Sequence, residues 1–227
     1  MSAAFIFDVD GTLIDSVDLH ARAWQETLAH FGFNIPYEQV RGQIGKGGDQ
    51  LLPVFVPEDQ LERLEDTIQK YRGELFKREY LSQVKPFPLV RDLFLRIKRD
   101  GFLIALASSA NADELGSYKT LANIGDLVDA ETAGSDVDCS KPCPDVFEVA
   151  IDRVKVEPER ALVIGDTPYD AIAAGRAGLR TAGVLCGGFP EKDLREAGCL
   201  SIYRDPADLL DRYDELRQLI TPAPKIP

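Results

Sequence analysis

The stretch Phe5-Ile6-Phe7-Asp8-Val9-Asp10-Gly11-Thr12-Leu13 constrains the fold more than any other part of the chain. An apolar run ends in two carboxylates two positions apart, followed at once by a glycine that permits a tight turn and by a small hydroxyl residue. This pattern predicts a buried strand with an acidic site at its carboxyl end. In open α/β sheets, chemistry gathers just beyond the carboxyl ends of the strands. Acids placed there serve as metal ligands, as a nucleophile, or as general acid and base. The rest of the chain has to select among these.

Further apolar runs repeat the arrangement. Residues 102–107 end at Ser108-Ser109, and residues 161–164 end at Gly165-Asp166-Thr167-Pro168-Tyr169-Asp170. Weaker strands are expected at 127–132, 180–184 and 200–203. Between them, helical spacing of apolar residues predicts helices at 17–31, 89–99, 113–122, 144–154, 168–177 and 206–219. Alternating strands and helices imply an α/β fold, a Rossmann-like doubly wound parallel sheet with right-handed crossovers. Residues 38–82 hold no convincing strand and read as two or three more helices among many charges. The expected organisation is therefore a core of residues 1–15 and 85–227, with a helical insertion at 16–84. The proline-rich tail, 221–227, reads as a frayed end.

Composition narrows the function classes. The formal charge is −12, with 26 Lys and Arg against 38 Asp and Glu, which disfavours nonspecific binding to nucleic acid or acidic membranes. No apolar stretch is long enough to span a bilayer, and the first strand begins too early to leave room for a cleaved leader, so a cytoplasmic location is expected. The four cysteines, Cys139, Cys143, Cys186 and Cys199, form no Cys-x-x-Cys pair and have no nearby histidine. They read as small buried or incidental thiols rather than as a zinc site or a disulfide framework.

In a parallel sheet the strand ends lie along one edge, so Asp8, Asp10, Ser108, Lys141, Asp166 and Asp170 can converge. Several carboxylates around one point repel each other unless a cation lies between them, and oxygen ligands suit Mg²⁺. Lysine and serine donors beside such a metal match the needs of a phosphoryl group during transfer. Each residue also has a plainer role: Asp170 as a first-turn helix acid, Ser108 as a helix start, Lys141 as a solvated charge.

Taken together, these motifs resemble the haloacid dehalogenase superfamily of phosphatases. The resemblance rests on Asp8-x-Asp10-Gly11-Thr12, the strand ending in Ser108, Lys141-Pro142, and Gly165-Asp166-x-x-x-Asp170, in that order over roughly residues 3–215. It implies that Asp8 is the nucleophile that forms an aspartyl-phosphate and that Asp10 is the general acid and base. Lys141 would pair with Asp8 and the phosphoryl group, while Thr12, Ser108 and Ser109 would offer hydroxyls to the substrate. Asp8, Asp166, Asp170 and the Asp10 carbonyl would hold Mg²⁺. The acid at Asp10 favours phosphate esters over the dehalogenase and phosphonoacetaldehyde hydrolase branches, which lack it.

The helical segment 16–84 matches the family's cap in position and character. Within it Arg41-Gly42-Gln43-Ile44-Gly45-Lys46-Gly47-Gly48 is too irregular for a dinucleotide fingerprint and lacks the ending of a P-loop. Arg41 and Lys46 could reach an anionic substrate group from this loop, which otherwise reads as a plain interhelix turn. His20, one turn before Trp24, could face the cleft or lie hydrogen-bonded in the core. The expected substrate is a small phosphorylated metabolite such as phosphoglycolate or a sugar phosphate. A sugar-phosphate mutase of the β-phosphoglucomutase type is the alternative, and a noncatalytic phosphate-binding protein the remaining one.

Overall fold

A computed structural model describes residues 2 to 220. Its centre is a six-stranded sheet in the order β5-β4-β1-β6-β7-β8, with every adjacent pair parallel. The strands are β1 Ala4–Phe7, β4 Leu103–Ala107, β5 Ala130–Thr132, β6 Ala161–Gly165, β7 Arg180–Val184 and β8 Ser201–Tyr203. The side-chain period of two assigns each strand's residues to opposite faces. Phe5, Phe7, Ile104, Leu106, Leu162 and Ile164 pack on one side, whereas Ala4, Ile6, Ala105, Ala107, Ala161 and Val163 pack on the other. The bulky face is covered by α5 (Val90–Arg99), α6 (Ala112–Leu121), α10 (Pro206–Asp211) and α11 (Tyr213–Ile220). The small-residue face is covered by α7 (Asp145–Val154) and α8 (Pro168–Arg176). Burial on both faces is why these strands read as continuous apolar runs.

After β1 the chain turns into a two-residue strand, β2 (Ile14–Asp15), which pairs antiparallel with β3 (Lys85–Pro86). All residues between these two strands therefore leave and re-enter the core side by side. They form α1 (Val17–His30), α2 (Tyr37–Arg41), α3 (Gly48–Phe55) and α4 (Glu58–Leu75), then a π-helical turn, Phe76–Tyr80, and a 3₁₀ turn, Leu81–Gln83. These helices have their own apolar cluster, including Trp24, Leu28, Val40, Leu51, Leu52 and Ile68. Helix α1 stops where Gly32 takes φ +92°, a conformation open to glycine at little cost.

Two elements differ from the sequence expectation. The helix expected over 206–219 is broken at Arg212, and the break seats Tyr213 in the core with its ring 6.4 Å from that of Phe5. A short helix, α9 (Glu191–Glu196), was not expected, because Leu194 is the only apolar side chain in it and no period can be read from one residue. The tail expected to fray lies outside the described residues. Among the described residues, no helix is long and apolar enough to cross a membrane.

Candidate active site

Strand neighbours bring the first and fourth acidic motifs together. In the β1–β6 register Phe7 lies beside Ile164, and the Asp8 amide donates to the Ile164 carbonyl at 2.9 Å. Asp8 and Asp166 therefore leave adjacent strands at nearly the same level. The turn after β1 is closed by Gly11 N–H to Ile14 O at 2.7 Å and Leu13 N–H to Val9 O at 2.9 Å. Gly11 has φ +83°, and a Cβ there would collide with the Asp166 carboxylate and with Val17; a Cβ on Gly187 would meet the same carboxylate. The glycines thus leave room for the Asp166 carboxylate, whose Oδ1 accepts from Thr12 Oγ1 at 3.0 Å. Thr12, expected to offer its hydroxyl to the substrate, here donates to a metal-ligand candidate.

Lys141 is buried among these acids. Its ammonium donates to Asp8 Oδ1 and lies 2.8 Å from Asp170 Oδ1. Burial alone would lower its pKa, but the carboxylates of Asp170 and Asp8 hold it above its ordinary value. Asp170 combines this contact with the plain helix role: its Oδ2 accepts from Thr167 N–H at 3.0 Å and from Thr167 Oγ1 at 2.7 Å, in the capping box that starts α8.

Burial pushes the Asp8 carboxyl up to about 7, against the lowering influence of Lys141 and with a further rise from Asp170. Burial, with the nearby charges of Asp8 and Asp170, also raises Asp166 well above its ordinary value. Among the described residues, Oδ2 of Asp8 and Oδ2 of Asp166 are buried without a hydrogen-bond partner. Asp8, Asp166 and Asp170 each bring a carboxylate oxygen within 4.8 Å of the others. Unpaired buried carboxylate oxygens on a compact all-oxygen donor set fit a small hard dication such as Mg²⁺.

Asp10 faces the other way. Its Oδ1 accepts from Ser16 Oγ at 2.6 Å and from His20 Nε2 at 2.8 Å. Burial would raise this carboxyl, but His20, the Ser16 hydroxyl and the charge of Arg72 outweigh it and hold Asp10 at about 2. His20 Nδ1 meets the Arg72 guanidinium. An arginine only donates, so Nδ1 offers its lone pair and Nε2 carries the proton that points to Asp10. His20, read from the sequence as facing the cleft or as hydrogen-bonded in the core, does both: it borders the cavity and pairs with Asp10.

A cavity of about 70 Å³ opens beside these groups, lined by Asp8, Asp10, Trp24, Lys46, Arg72 and Ser109 among others. A neighbouring cavity of about 290 Å³ shares Trp24, Arg72 and Ser109 with it. Lys46 donates to Gln43 Oε1 at 2.6 Å and lies 4.8 Å from the Tyr169 ring centroid, and burial lowers its pKa. Arg41 takes a different place from the one expected: Nε donates to Asp18 Oδ1 at 2.7 Å and Nη2 to the Gly187 carbonyl at 3.1 Å, tying α2 to the loop beside Asp166. Ser109 Oγ donates to the Gly45 carbonyl at 3.4 Å, while the buried Ser108 Oγ accepts from Ala110 N–H at 3.0 Å.

The Lys141 loop also grips the insertion. Ser140 Oγ donates to Asp49 Oδ1 at 2.5 Å and accepts from Gly47 N–H at 2.8 Å. Cys139 and Cys143 form a disulfide, which corrects their reading as free thiols. The loop folds back around Lys141-Pro142 and brings the two Cα atoms to 5.8 Å, within bridging range. Sequence reading also missed Ser16, Asp49, Arg72, Glu114, Tyr118 and Ser140. Their only local signals were those of ordinary helix and turn residues.

Comparison with known proteins agrees with this geometry. A family model described as haloacid dehalogenase-like hydrolase matches residues 5–184. The chain is 31% identical over 187 residues to a phosphoglycolate phosphatase of Aquifex aeolicus, covering 80% of this chain and 84% of that one. It is 28% identical over 178 residues to the fructose-1-phosphate phosphatase YqaB of Escherichia coli, covering 78% and 93%. The crystal structure of a hydrolase from Pseudomonas syringae matches with a TM-score of 0.87 at 27% identity, covering 95% and 99%. The family match runs from β1 through β7 and so includes each strand end that carries a candidate catalytic acid; the chain belongs to the haloacid dehalogenase-like hydrolase family.

Proposed function

We propose that this chain is a Mg²⁺-dependent phosphomonoesterase that hydrolyses a small phosphorylated metabolite through an aspartyl-phosphate on Asp8. The observation that carries this reading is the buried cluster of Asp8, Asp166 and Asp170 around Lys141, with Asp10 held separately beside the same cavity. Their own surroundings push Asp8 up to about 7 and Asp10 down to about 2, so the nucleophile needs a bound cation's charge to stay ionised and the general acid needs the substrate's charge to hold its proton. Asp8, Asp166, Asp170 and the Asp10 carbonyl would hold Mg²⁺. When bound, the ion would keep Asp8 ionised and offset charge on the phosphoryl oxygens.

In the first step an Asp8 carboxylate oxygen bonds to phosphorus as the bond to the leaving alcohol breaks, and Asp10 delivers a proton to that alcohol. Asp10 rests ionised, so the proton it delivers arrives with the substrate, from the phosphate monoanion or from solvent water, as the substrate's negative charge raises its carboxyl. In the second step Asp10 accepts a proton from water, whose oxygen attacks phosphorus and releases Asp8 and inorganic phosphate. Lys141 stays beside Asp8 throughout and donates to the charged oxygens.

Residues 16–84 would act as a cap over the core of residues 1–15 and 85–227, excluding water from the site. Within the cap, Lys46 supplies substrate contact. The charge of Arg72 faces the Glu114 carboxylate at 3.6 Å, whereas Lys46 is bonded to the neutral Gln43 amide and its charge remains available to an anion. A leaving group with a second negative charge, as in phosphoglycolate, suits this arrangement better than a neutral sugar.

The test is phosphate release from a panel of small phosphomonoesters, with Mg²⁺ and with EDTA. Release that requires the metal is expected. Absence of release from every ester would contradict the hydrolase reading, and interconversion of sugar monophosphates primed by a bisphosphate would replace it with the mutase. Lys46→Ala should raise KM for esters with a second anionic group on the order of tenfold, the loss of one charged hydrogen bond. It should change KM for neutral sugar phosphates far less. An equal change for both would remove Lys46 from substrate recognition.

A further inference from the structure

Two buried groups on α6, Glu114 and Tyr118, meet the catalytic acid from the core side. Tyr118 OH donates to Glu114 Oε1 at 2.8 Å, and its oxygen lies 3.0 Å from His20 Nε2. Glu114 Oε1 is itself 3.4 Å from that nitrogen. On the other side of the ring, Arg72 of α4 meets His20 Nδ1 and reaches Glu114 Oε2 at 3.6 Å. His20 is stacked on Phe76 with centroids 4.1 Å apart, so the imidazole cannot turn without losing that face. These contacts close a ring: Glu114 holds Tyr118 and Arg72, both address His20, and His20 donates to Asp10.

We propose that Glu114 is a positioning residue for proton transfer by Asp10, acting through Tyr118, Arg72 and His20; the inference rests on the phosphomonoesterase reading. Glu114 keeps the Arg72 donor beside Nδ1, and that donor fixes the Nε2–H tautomer. The Tyr118 oxygen borders the same proton from the core. Arg72 lies in the helical insertion and Glu114 in the core, so seating the insertion completes the ring and aims the His20 N–H at Asp10. Without Glu114, Arg72 has no core carboxylate here and Tyr118 loses its acceptor. His20 is then free to exchange tautomers, and the Asp10 carboxyl loses its fixed direction.

The test compares Glu114→Ala and Glu114→Gln on an alkyl phosphate and on 4-nitrophenyl phosphate, whose leaving group needs little protonation. In Glu114→Ala, kcat for the alkyl ester should fall roughly 10- to 100-fold, part of what a positioned general acid supplies, and kcat for the aryl ester by less than about threefold. Glu114→Gln keeps an acceptor for Tyr118 but turns an amide N–H₂ toward Arg72, so it should recover only part of the alkyl rate and fall between Glu114→Ala and wild type. Equal losses on both esters, or a change confined to KM, would overturn the proposal, the latter by making Glu114 a substrate contact. Tyr118→Phe removes only the hydroxyl and should give a weaker form of the same selectivity. It decides the matter if Glu114→Ala fails to fold.

A second readout needs no turnover. The chain has two histidines, so ¹⁵N NMR with His30→Gln as the assignment control isolates His20. Wild type should show a protonated Nε2 and an unprotonated Nδ1, and Glu114→Ala should show exchange between tautomers. An unchanged His20 signature in Glu114→Ala would overturn the role of Glu114 on its own. A chain that releases no phosphate would instead overturn the phosphomonoesterase reading.

Discussion

Asp8→Asn is expected to lower turnover by on the order of 10⁴-fold or more, the scale on which losing a nucleophile removes covalent catalysis. The amide keeps the size of the side chain but cannot form the acyl phosphate. The same change removes one member of a self-repelling buried cluster, and Lys141 keeps Asp170 at 2.8 Å. The variant should therefore remain folded, with a metal-free melting temperature within a few degrees of wild type. Its stabilisation by Mg²⁺ should shrink, because one carboxylate oxygen without a protein hydrogen-bond partner is gone. Phosphate release near the wild-type rate would remove Asp8 from the chemistry. A collapse of the melting temperature would recast it as a structural residue.

Lys141→Met should have the largest effect on stability. Lys141 is 1% exposed and faces Asp8 and Asp170, themselves 5% and 1% exposed. Methionine fills similar space without charge and leaves three buried carboxylates with no ammonium between them. Breaking one side of a buried ion pair costs roughly 3–5 kcal/mol. For a chain of this length that corresponds to a fall of about 10 °C in Tm, measured in EDTA. Mg²⁺ should restore part of this, since a dication offsets the same repulsion. A metal-free variant as stable as wild type would show that the acids are neutral or otherwise compensated, and that Lys141 is not their counter-ion.

The sheet and the acidic motifs were legible because each depends on local pattern. Phe5, Ile6 and Phe7 form a run buried on both faces, and Gly11 marks the turn that presents Asp8. The strand order was not legible, because parallel strands joined by helices can be arranged in many orders without altering any local period. The partners of the candidate site residues were hidden for a related reason. Thr12 reads as a hydroxyl beside a turn, yet its partner Asp166 is 154 residues away. Glu114 reads as an ordinary first-turn acid of α6, although it sits against Tyr118 and Arg72. Arg41 and Lys46 share one loop and one charge, and only the fold separates them, sending Arg41 to Asp18 and Gly187 and leaving Lys46 on the cavity. Cys139 and Cys143 were read by compartment, whereas the loop around Lys141 decides their proximity.

The most direct measurement is a search for the covalent intermediate. The enzyme is mixed with a phosphomonoester and Mg²⁺, quenched in acid during the first turnover, digested, and its peptides weighed. The mechanism predicts one phosphoryl group on the peptide that carries Asp8, absent from Asp8→Asn and lost on incubation at neutral pH. Rapid phosphate release with no phosphorylated peptide, or with the phosphoryl group on another residue, would contradict nucleophilic catalysis by Asp8.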